Sequence, residues 1–513
     1  MKYYYLLLIL FPLRLFAQGP VKKVSGGQIK GYTADAGIQV FKGIPFAAPP
    51  LGELRWRAPQ PVDAWQGIKD CTTWAPSPIQ AEPRPFMFWS QEFLIPKEPI
   101  SEDCLYLNVW SSAKEETEKR PVLVYIYGGG FRSGGSGCPI YDGEEMAKRG
   151  VVFVSINYRV GVFGFLAHPE LSAETEYGAS GNYALLDMIA GLEWVRENIA
   201  AFGGDPDNVT IAGQSAGAFG VSFLTASPLA KGLFHRAIAQ SGGSFLTSNL
   251  RPNITLAQAE EQGLAFAKNA LDCESLSDLR AISAGEILAA QGGLSSPIVD
   301  GYILPKGNLE IYQSHEHHDV PMLMGWNKDD KLMGPPLSAA DFKVAMQERF
   351  GADAVAFLEL YPAGTEEEAA ESQYDLSRDQ TFGVQVYKWA KTQDQNGSAP
   401  VYLYNFNRDL PAYNEETAFG AFHSGEIVYA YDNLHTLDRP WEPVDAKIAD
   451  LMSNYWVNFA RTGDPNAEGL PKWKPFTNKK QRVQVIGVQT KSKQLPTIDQ
   501  LSFLEAHLSN SRN

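Results

Sequence analysis

The stretch Asn208-Val-Thr-Ile-Ala-Gly-Gln-Ser-Ala-Gly217 decides the reading of this chain. Asn208 to Ala212 has the β-branched, apolar character of a short strand, and the small-residue run from Ala216 to Ser227 is helix-like. Between them stands Gly213-Gln214-Ser215-Ala216-Gly217, the only G-x-S-x-G in the chain. A sharp strand-to-helix turn needs glycine two before and two after the serine, because side chains there would run into neighbouring backbone. The turn lifts the Ser215 hydroxyl clear of the sheet and sets it at a helix N-terminus, whose unpaired N–H groups favour developing negative charge.

Working outward, apolar β-rich runs alternate with helix-like ones. Val122 to Tyr127 precedes a Gly-rich loop, and Glu144 to Arg149, Val151 to Asn157 and the amphipathic Tyr183 to Ile199 follow. Strands apolar on both faces and separated by helices predict an α/β fold with a mostly parallel central sheet covered on both sides. The Ala-, Glu- and Gln-rich segment 338–395 predicts a helical subdomain beside that sheet. No Pro/Ser linker divides the chain, so residues 18–513 read as a single domain.

A serine alone is a weak nucleophile; it needs a base and a group to orient that base. Tyr127-Gly-Gly-Gly-Phe131 follows the apolar strand and can turn N–H groups toward a tetrahedral oxyanion. With Ala216, this gives three candidate donors: Gly129, Gly130 and Ala216. A phosphate loop is the other use of such glycines, but the chain lacks G-x-x-x-x-G-K-[ST].

Composition narrows the partners. The 513 residues carry 44 Lys and Arg against 59 Asp and Glu, a net charge of −15. Such a chain would approach nucleic acid or an anionic membrane against its own field. Met1 to Ala17 has a basic start, the apolar run Tyr3 to Leu10 and a small residue at the end, and reads as a secretory signal peptide. That run is too short to span a bilayer, and no lipid-attachment cysteine follows it. The expectation is a secreted or periplasmic protein with no transmembrane segment. Four cysteines, Cys71, Cys104, Cys138 and Cys273, fit an oxidising compartment. They form no C-x-x-C pair that would suggest zinc. Three N-x-[ST] triplets carry no weight, since a chain of this length holds several by chance.

The accumulated strings resemble the type-B carboxylesterases, the α/β-hydrolase branch that includes the cholinesterases. Phe41-Lys-Gly-Ile-Pro-Phe-Ala47, Ser101-Glu-Asp-Cys-Leu-Tyr-Leu-Asn108, Gly128-Gly-Gly-Phe131, Asn157-Tyr-Arg-Val-Gly161 and Gly181-Asn-Tyr-Ala-Leu-Leu-Asp187 match in order. Phe202-Gly-Gly-Asp-Pro206, His423-Ser-Gly-Glu426 and Phe459-Ala-Arg-Thr-Gly-Asp-Pro-Asn466 continue the likeness toward the C-terminus. The resemblance implies the α/β-hydrolase fold with a gorge above the active site. It also places the remaining catalytic residues: Asp330, in Met322-Leu-Met-Gly-Trp-Asn-Lys-Asp-Asp-Lys331, aligns with the family's acid, and His423 with its base. This chain departs from most relatives, which have Glu at 330 and Gly at 331; Asp329 is the neighbour most easily mistaken for the acid. The order Ser215, Asp330, His423 is the α/β-hydrolase order.

The likeness further implies a Cys71–Cys104 disulfide; Cys138 and Cys273 either pair with each other or stay free. In relatives that loop borders the gorge, so Phe86, Phe88 and Trp89 either shape its rim or pack beneath a long surface loop. Glu102, Asp103 and Arg159 read as a structural ion network. The cluster His315-Glu-His-His318 lacks the second zinc histidine, since Asp319 stands where H-E-x-x-H needs it, and reads as a polar loop before a strand. No cofactor or metal is expected.

The expected activity is serine carboxylic-ester hydrolysis through a Ser–His–Asp triad and an acyl-enzyme. The substrate would be a small-molecule or glycan-linked ester, and hydroxycinnamoyl or polysaccharide esters, or amides, are alternatives within the same chemistry. A catalytically silent adhesion or partner-binding member of the fold is the competing class, marked by loss of serine or histidine. Oligomeric state, the physiological ester and its acyl preference are not legible.

Overall fold

The computed structural model describes residues 19–97, 99–247 and 252–510. The signal-peptide reading falls on residues 1–17, outside the described residues. Eleven strands form the central sheet: β1 (Tyr32–Thr33), β2 (Gln39–Pro45), β3 (Tyr106–Ser111), β4 (Arg120–Ile126), β5 (Val152–Ile156), β6 (Gly204–Gln214), β7 (Arg236–Gln240), β8 (Met322–Asn327), β9 (Val401–Phe406), β10 (Arg482–Ile486) and β11 (Lys491–Gln494). Their spatial order is β11-β10-β9-β8-β7-β6-β4-β5-β3-β2-β1. The run from β5 through β4 and β6 to β10 is parallel, and antiparallel strands close both sides. The segment read as the short strand Val209 to Ala212 is longer than its apolar core, because Gly204 also pairs, with Arg120, before a register shift leads to Val209↔Val122.

The sequence dictates this layering. Every residue of β5 and β8 is buried, as is all of β4 after Arg120. Strands without a polar face must be covered on both sides. The helices Tyr183–Asn198, Ala216–Ala226 and Pro443–Thr462 bury apolar side chains in this core. Four helices, Ala339–Phe350, Ala354–Leu360, Glu366–Arg378 and Val384–Asn396, occupy the Ala- and Glu-rich region. A wide i→i+5 turn at Asp379–Gly383 joins the last two. No helix among the described residues is long and apolar enough to cross a membrane.

Two sequence expectations are corrected. Cys71 and Cys104 form no disulfide: all four cysteines are buried free thiols. Backbone bonds hold Cys71 between neighbouring segments, its N–H on Lys30 O (2.8 Å) and its carbonyl accepting from Lys42 N–H (2.7 Å), with Sγ 3.9 Å from Gly43 O. The Cys104 thiol lines a small cavity with Arg55, Glu102 and Arg159. The pair therefore occupies two separate environments, and burial pushes the Cys71 thiol up to about 12 and that of Cys104 well above its ordinary range. Cys138 and Cys273 also stay unpaired, each thiol meeting a backbone carbonyl, of Glu92 and Leu271. The expected ion network splits in two: Glu102 pairs with Arg55, whereas Arg159 forks onto buried Asp187 at 2.7 and 2.8 Å.

Candidate active site

The site lies where the parallel strands end, the edge at which open α/β sheets bind ligands. Ser215 follows the last residue of β6 and holds φ 55°, a conformation that side-chain-bearing residues rarely adopt. The glycines around it are sterically required. A Cβ on Gly213 would lie 2.4 Å from the carbonyl of Gly217, and one on Gly217 would lie 2.0 Å from Ile126 O. The turn is also tied to β7, since Ser215 N–H donates to Gln240 O at 2.9 Å.

The Gly-rich loop leaves β4 beside this turn. A Cβ on Gly128 would sit 3.0 Å from Ser215 Cβ, so only glycine lets the loop come so close. Gly129 and Gly130 follow at φ 118° and 64°. The N–H groups of Arg132 and Ser133 both fold back onto Gly129 O (3.0 and 3.1 Å). Neither Gly129 nor Gly130 spends its own N–H on a protein acceptor among the described residues. Ala216, first in its helix, likewise has no intrahelical acceptor. At the base of the loop, Tyr127 and Tyr158 stack at 4.2 Å, and each hydroxyl donates to the other's carbonyl.

Asp330 comes from the turn after β8 and His423 from the loop beyond β9. Both are fully buried, and His423 Nδ1 lies 2.5 Å from Asp330 Oδ1. The second carboxylate oxygen accepts from Ser241 Oγ (2.6 Å) and Asn327 N–H (3.0 Å). Asp329 does a different job. Its Oδ2 accepts from Ala421 N–H at 2.8 Å, and its backbone bridges to Phe422, tethering the loop that carries His423. The shorter Asp side chain reaches the imidazole because backbone and hydroxyl both grip it from behind.

Further groups surround the imidazole. Phe382, in the wide turn, stacks on it at 4.5 Å and 11°, and Trp89 meets it edge-on at 6.0 Å. The Gln214 amide nitrogen lies 3.3 Å from Nε2 and 3.4 Å from Nδ1. Ser215 Oγ makes no hydrogen bond to the ring in this state. Behind it lies Glu426, wholly buried, accepting from Asn327 Nδ2 (2.6 Å) and Gln240 Nε2 (3.1 Å). Burial first, and the charge of Asp330 second, push the Glu426 carboxyl up to about 7.

Ser215, His423, Gly129 and Gly130 line one cavity of about 600 Å³, with Phe86, Trp89 and Phe382 among its aromatic walls. Phe88 is instead buried beneath it, against Phe422. The three histidines of the 315–318 cluster go to separate partners: His315 to Asn396 O, His317 onto the ring of Tyr312, and His318 to Ser227 O. The roles around the site of Gln214, Ser241, Asn327, Phe382 and Glu426 were not read from sequence. Gln214, Asn327 and Glu426 stand inside quoted motifs without their roles being marked there, and nothing local marks Ser241 or Phe382.

The model of the Carboxylesterase family matches residues 18–504. Fumonisin B1 esterase of Sphingopyxis macrogoltabida is 36% identical over 89% of this chain and 84% of its own. Liver carboxylesterase of Sus scrofa is 35% identical, covering 93% and 91%. Para-nitrobenzyl esterase of Bacillus subtilis is 34% identical, covering 86% and 90%. Among solved structures, a PNB esterase superposes with TM-score 0.78 at 29% identity, covering 94% of this chain and 99% of that one. The chain belongs to the carboxylesterase family, on an α/β-hydrolase fold. It is a carboxylesterase, an enzyme of ester hydrolysis.

Proposed function

We propose that Ser215 is the nucleophile, His423 the general base and Asp330 the group that orients it, with Gly129, Gly130 and Ala216 donating to the oxyanion. The observation that carries this reading is the shared cavity: Ser215, His423 and the two glycines with unspent N–H groups line one space, and Asp330 Oδ1 meets the imidazole at Nδ1. Substrate draws Ser215 Oγ onto Nε2, the contact that has to close, as catalytic hydrogen bonds commonly do only in the loaded enzyme. His423 takes the hydroxyl proton as Oγ attacks the ester carbonyl. Asp330 holds the tautomer with hydrogen on Nδ1 and stabilises the imidazolium. The C–O bond to the alcohol breaks as His423 returns that proton to it, leaving an acyl-serine. Water, deprotonated by His423, then releases the acid and restores Ser215.

An aromatic cavity of about 600 Å³ suits small and medium esters. The test is turnover of aryl esters of graded acyl length, and of a hydroxycinnamate ester, by the purified protein and by Ser215→Ala. The variant is expected to lose kcat by several orders of magnitude and to escape covalent labelling by a fluorophosphonate. Retained turnover would mean another nucleophile. Export belongs to the same proposal and rests on Met1 to Ala17 alone, since unbridged cysteines carry no reading of compartment.

A further inference from the structure

A second cavity, of about 680 Å³, lies on the other side of the Gly-rich loop. Gly128 to Gly130 and Ser133 face the first cavity, whereas Phe131 and Arg132 face the second. The helix Ala216–Ala226 is shared in the same way: Ser215, at its cap, lines the first, and Phe219 and Phe223 line the second. Phe219 is four residues past Ser215, one turn or about 6 Å along the axis. Arg132 is two residues past Gly130, at most about 7 Å of chain. The walls of the second cavity thus begin within a short acyl chain of the proposed oxyanion donors.

Its charge is the reverse of the protein's. The chain holds 59 acidic residues against 44 basic ones, yet among the described residues the lining includes Arg132 and Lys306 and not one Asp or Glu. Lys306 is shared with Glu316, 3.3 Å away and outside the lining. Arg132 forms no ion pair among the described residues. Its Nε donates to Ser295 Oγ at 2.7 Å, which fixes the plane of the guanidinium, and neither Nη group has a protein partner among the described residues. A guanidinium oriented through Nε presents the paired donors that grip a carboxylate bidentately.

We infer that Arg132 forms an anion subsite, so that the preferred substrates are esters carrying a free carboxylate a few carbons from the scissile carbonyl. This deepens, and rests on, the assignment of Ser215 as nucleophile. Lys306, in the same lining, adds a longer-range attraction. The uncharged apolar side chains Phe219 and Phe223 hold the intervening methylenes.

The experiment compares p-nitrophenyl hemiglutarate with p-nitrophenyl pentanoate, a neutral ester of similar acyl length. The ratio of their kcat/KM values is measured for the wild type, Arg132→Gln and Arg132→Lys. The preference for the hemiester is expected to fall about 10- to 100-fold in Arg132→Gln, mainly through KM, and less in Arg132→Lys, which keeps the charge but loses the fork. A ratio within twofold of the wild type in Arg132→Gln overturns the subsite. Glutarate is titrated calorimetrically into Ser215→Ala and into Ser215→Ala/Arg132→Gln. Binding that disappears with Arg132 upholds the subsite even if neither ester is turned over, whereas turnover retained in Ser215→Ala is the separate result by which the assignment of Ser215 as nucleophile falls. Turnover of both esters with no glutarate binding and an unmoved ratio overturns the subsite and leaves the hydrolase assignment standing.

Discussion

Replacing Asp330 by Asn tests the proposed chemistry through a single atom. Asp330 accepts three hydrogen bonds: from His423 Nδ1 on one oxygen, and from Ser241 Oγ and Asn327 N–H on the other. Asparagine has only one oxygen to offer. The backbone N–H of Asn327 can only donate, so it claims that oxygen, and the new amide nitrogen turns toward His423. An N–H facing Nδ1 makes Nδ1 the acceptor and moves the ring hydrogen to Nε2, the atom that has to receive the proton from Ser215. The ring stays in place with the wrong tautomer. A carboxylate-to-amide change of this kind in serine proteases lowers kcat by about 10⁴, or about 5.4 kcal/mol of barrier. The assay is steady-state hydrolysis of p-nitrophenyl butyrate, with Asp329→Asn as companion. Asp329 uses one oxygen on Ala421 N–H, which an amide oxygen satisfies equally well, so that variant is expected to stay within about tenfold of wild type. Asp330→Asn keeping more than a tenth of wild-type kcat/KM, or Asp329→Asn suffering the larger loss, would refute the reasoning.

The remaining predictions concern charge, redox state and processing. Glu426 has its carboxyl raised from 4.5 to about 7, so through that window the native state keeps a proton that the unfolded chain has released. Wild-type stability therefore falls as pH rises from about 4.5 to 7, by roughly 3 kcal/mol at about 1.4 kcal/mol per pH unit. Glu426→Gln lacks that slope, so urea unfolding at pH 5 and pH 8 should find the variant gaining on wild type as pH rises; a gap independent of pH would contradict this. Four buried free cysteines predict four reactive thiols in the denatured, unreduced protein, and a count of two would restore the disulfide. Amino-terminal sequencing of exported protein should begin at Gln18, and a start at Met1 would remove the leader.

What was legible in the sequence is what short-range sterics or long apolar runs enforce. The turn at Ser215 could be read because Gly213 and Gly217 are demanded by backbone atoms within ångströms of them. The sheet could be read because β4, β5 and β8 have no polar face to misplace. Family likeness points to Asp330 and His423, but which of Asp329 and Asp330 faces the imidazole depends on which carboxylate turns inward, and that is seen only in the contact of Asp330 Oδ1 with His423 Nδ1, Asp329 being turned to Ala421 N–H. Gln214 and His423 are 209 positions apart, and no periodicity joins them. The Cys71–Cys104 pairing had likeness as its sole support, and the hydrogen bonds around Cys71 override it. Likewise, the carboxylate that neutralises Arg159 stands 28 positions away, at Asp187, rather than at the acidic pair Glu102-Asp103.

The wide turn at Asp379–Gly383 places Phe382 flat against the imidazole, braced by Arg378 and Tyr361, which both hold the Asp379 carboxylate. Such a turn holds one residue more than an ordinary helical coil. Deleting a single position there would let the segment rewind, and everything after it would rotate by about 100° relative to what comes before. Trp389 and Gln385 would leave their buried places together with Phe382. The two helices on either side of this turn are thus geared to the proposed base: a change of one residue in length would be transmitted, as a twist, to the ring stacked on Phe382.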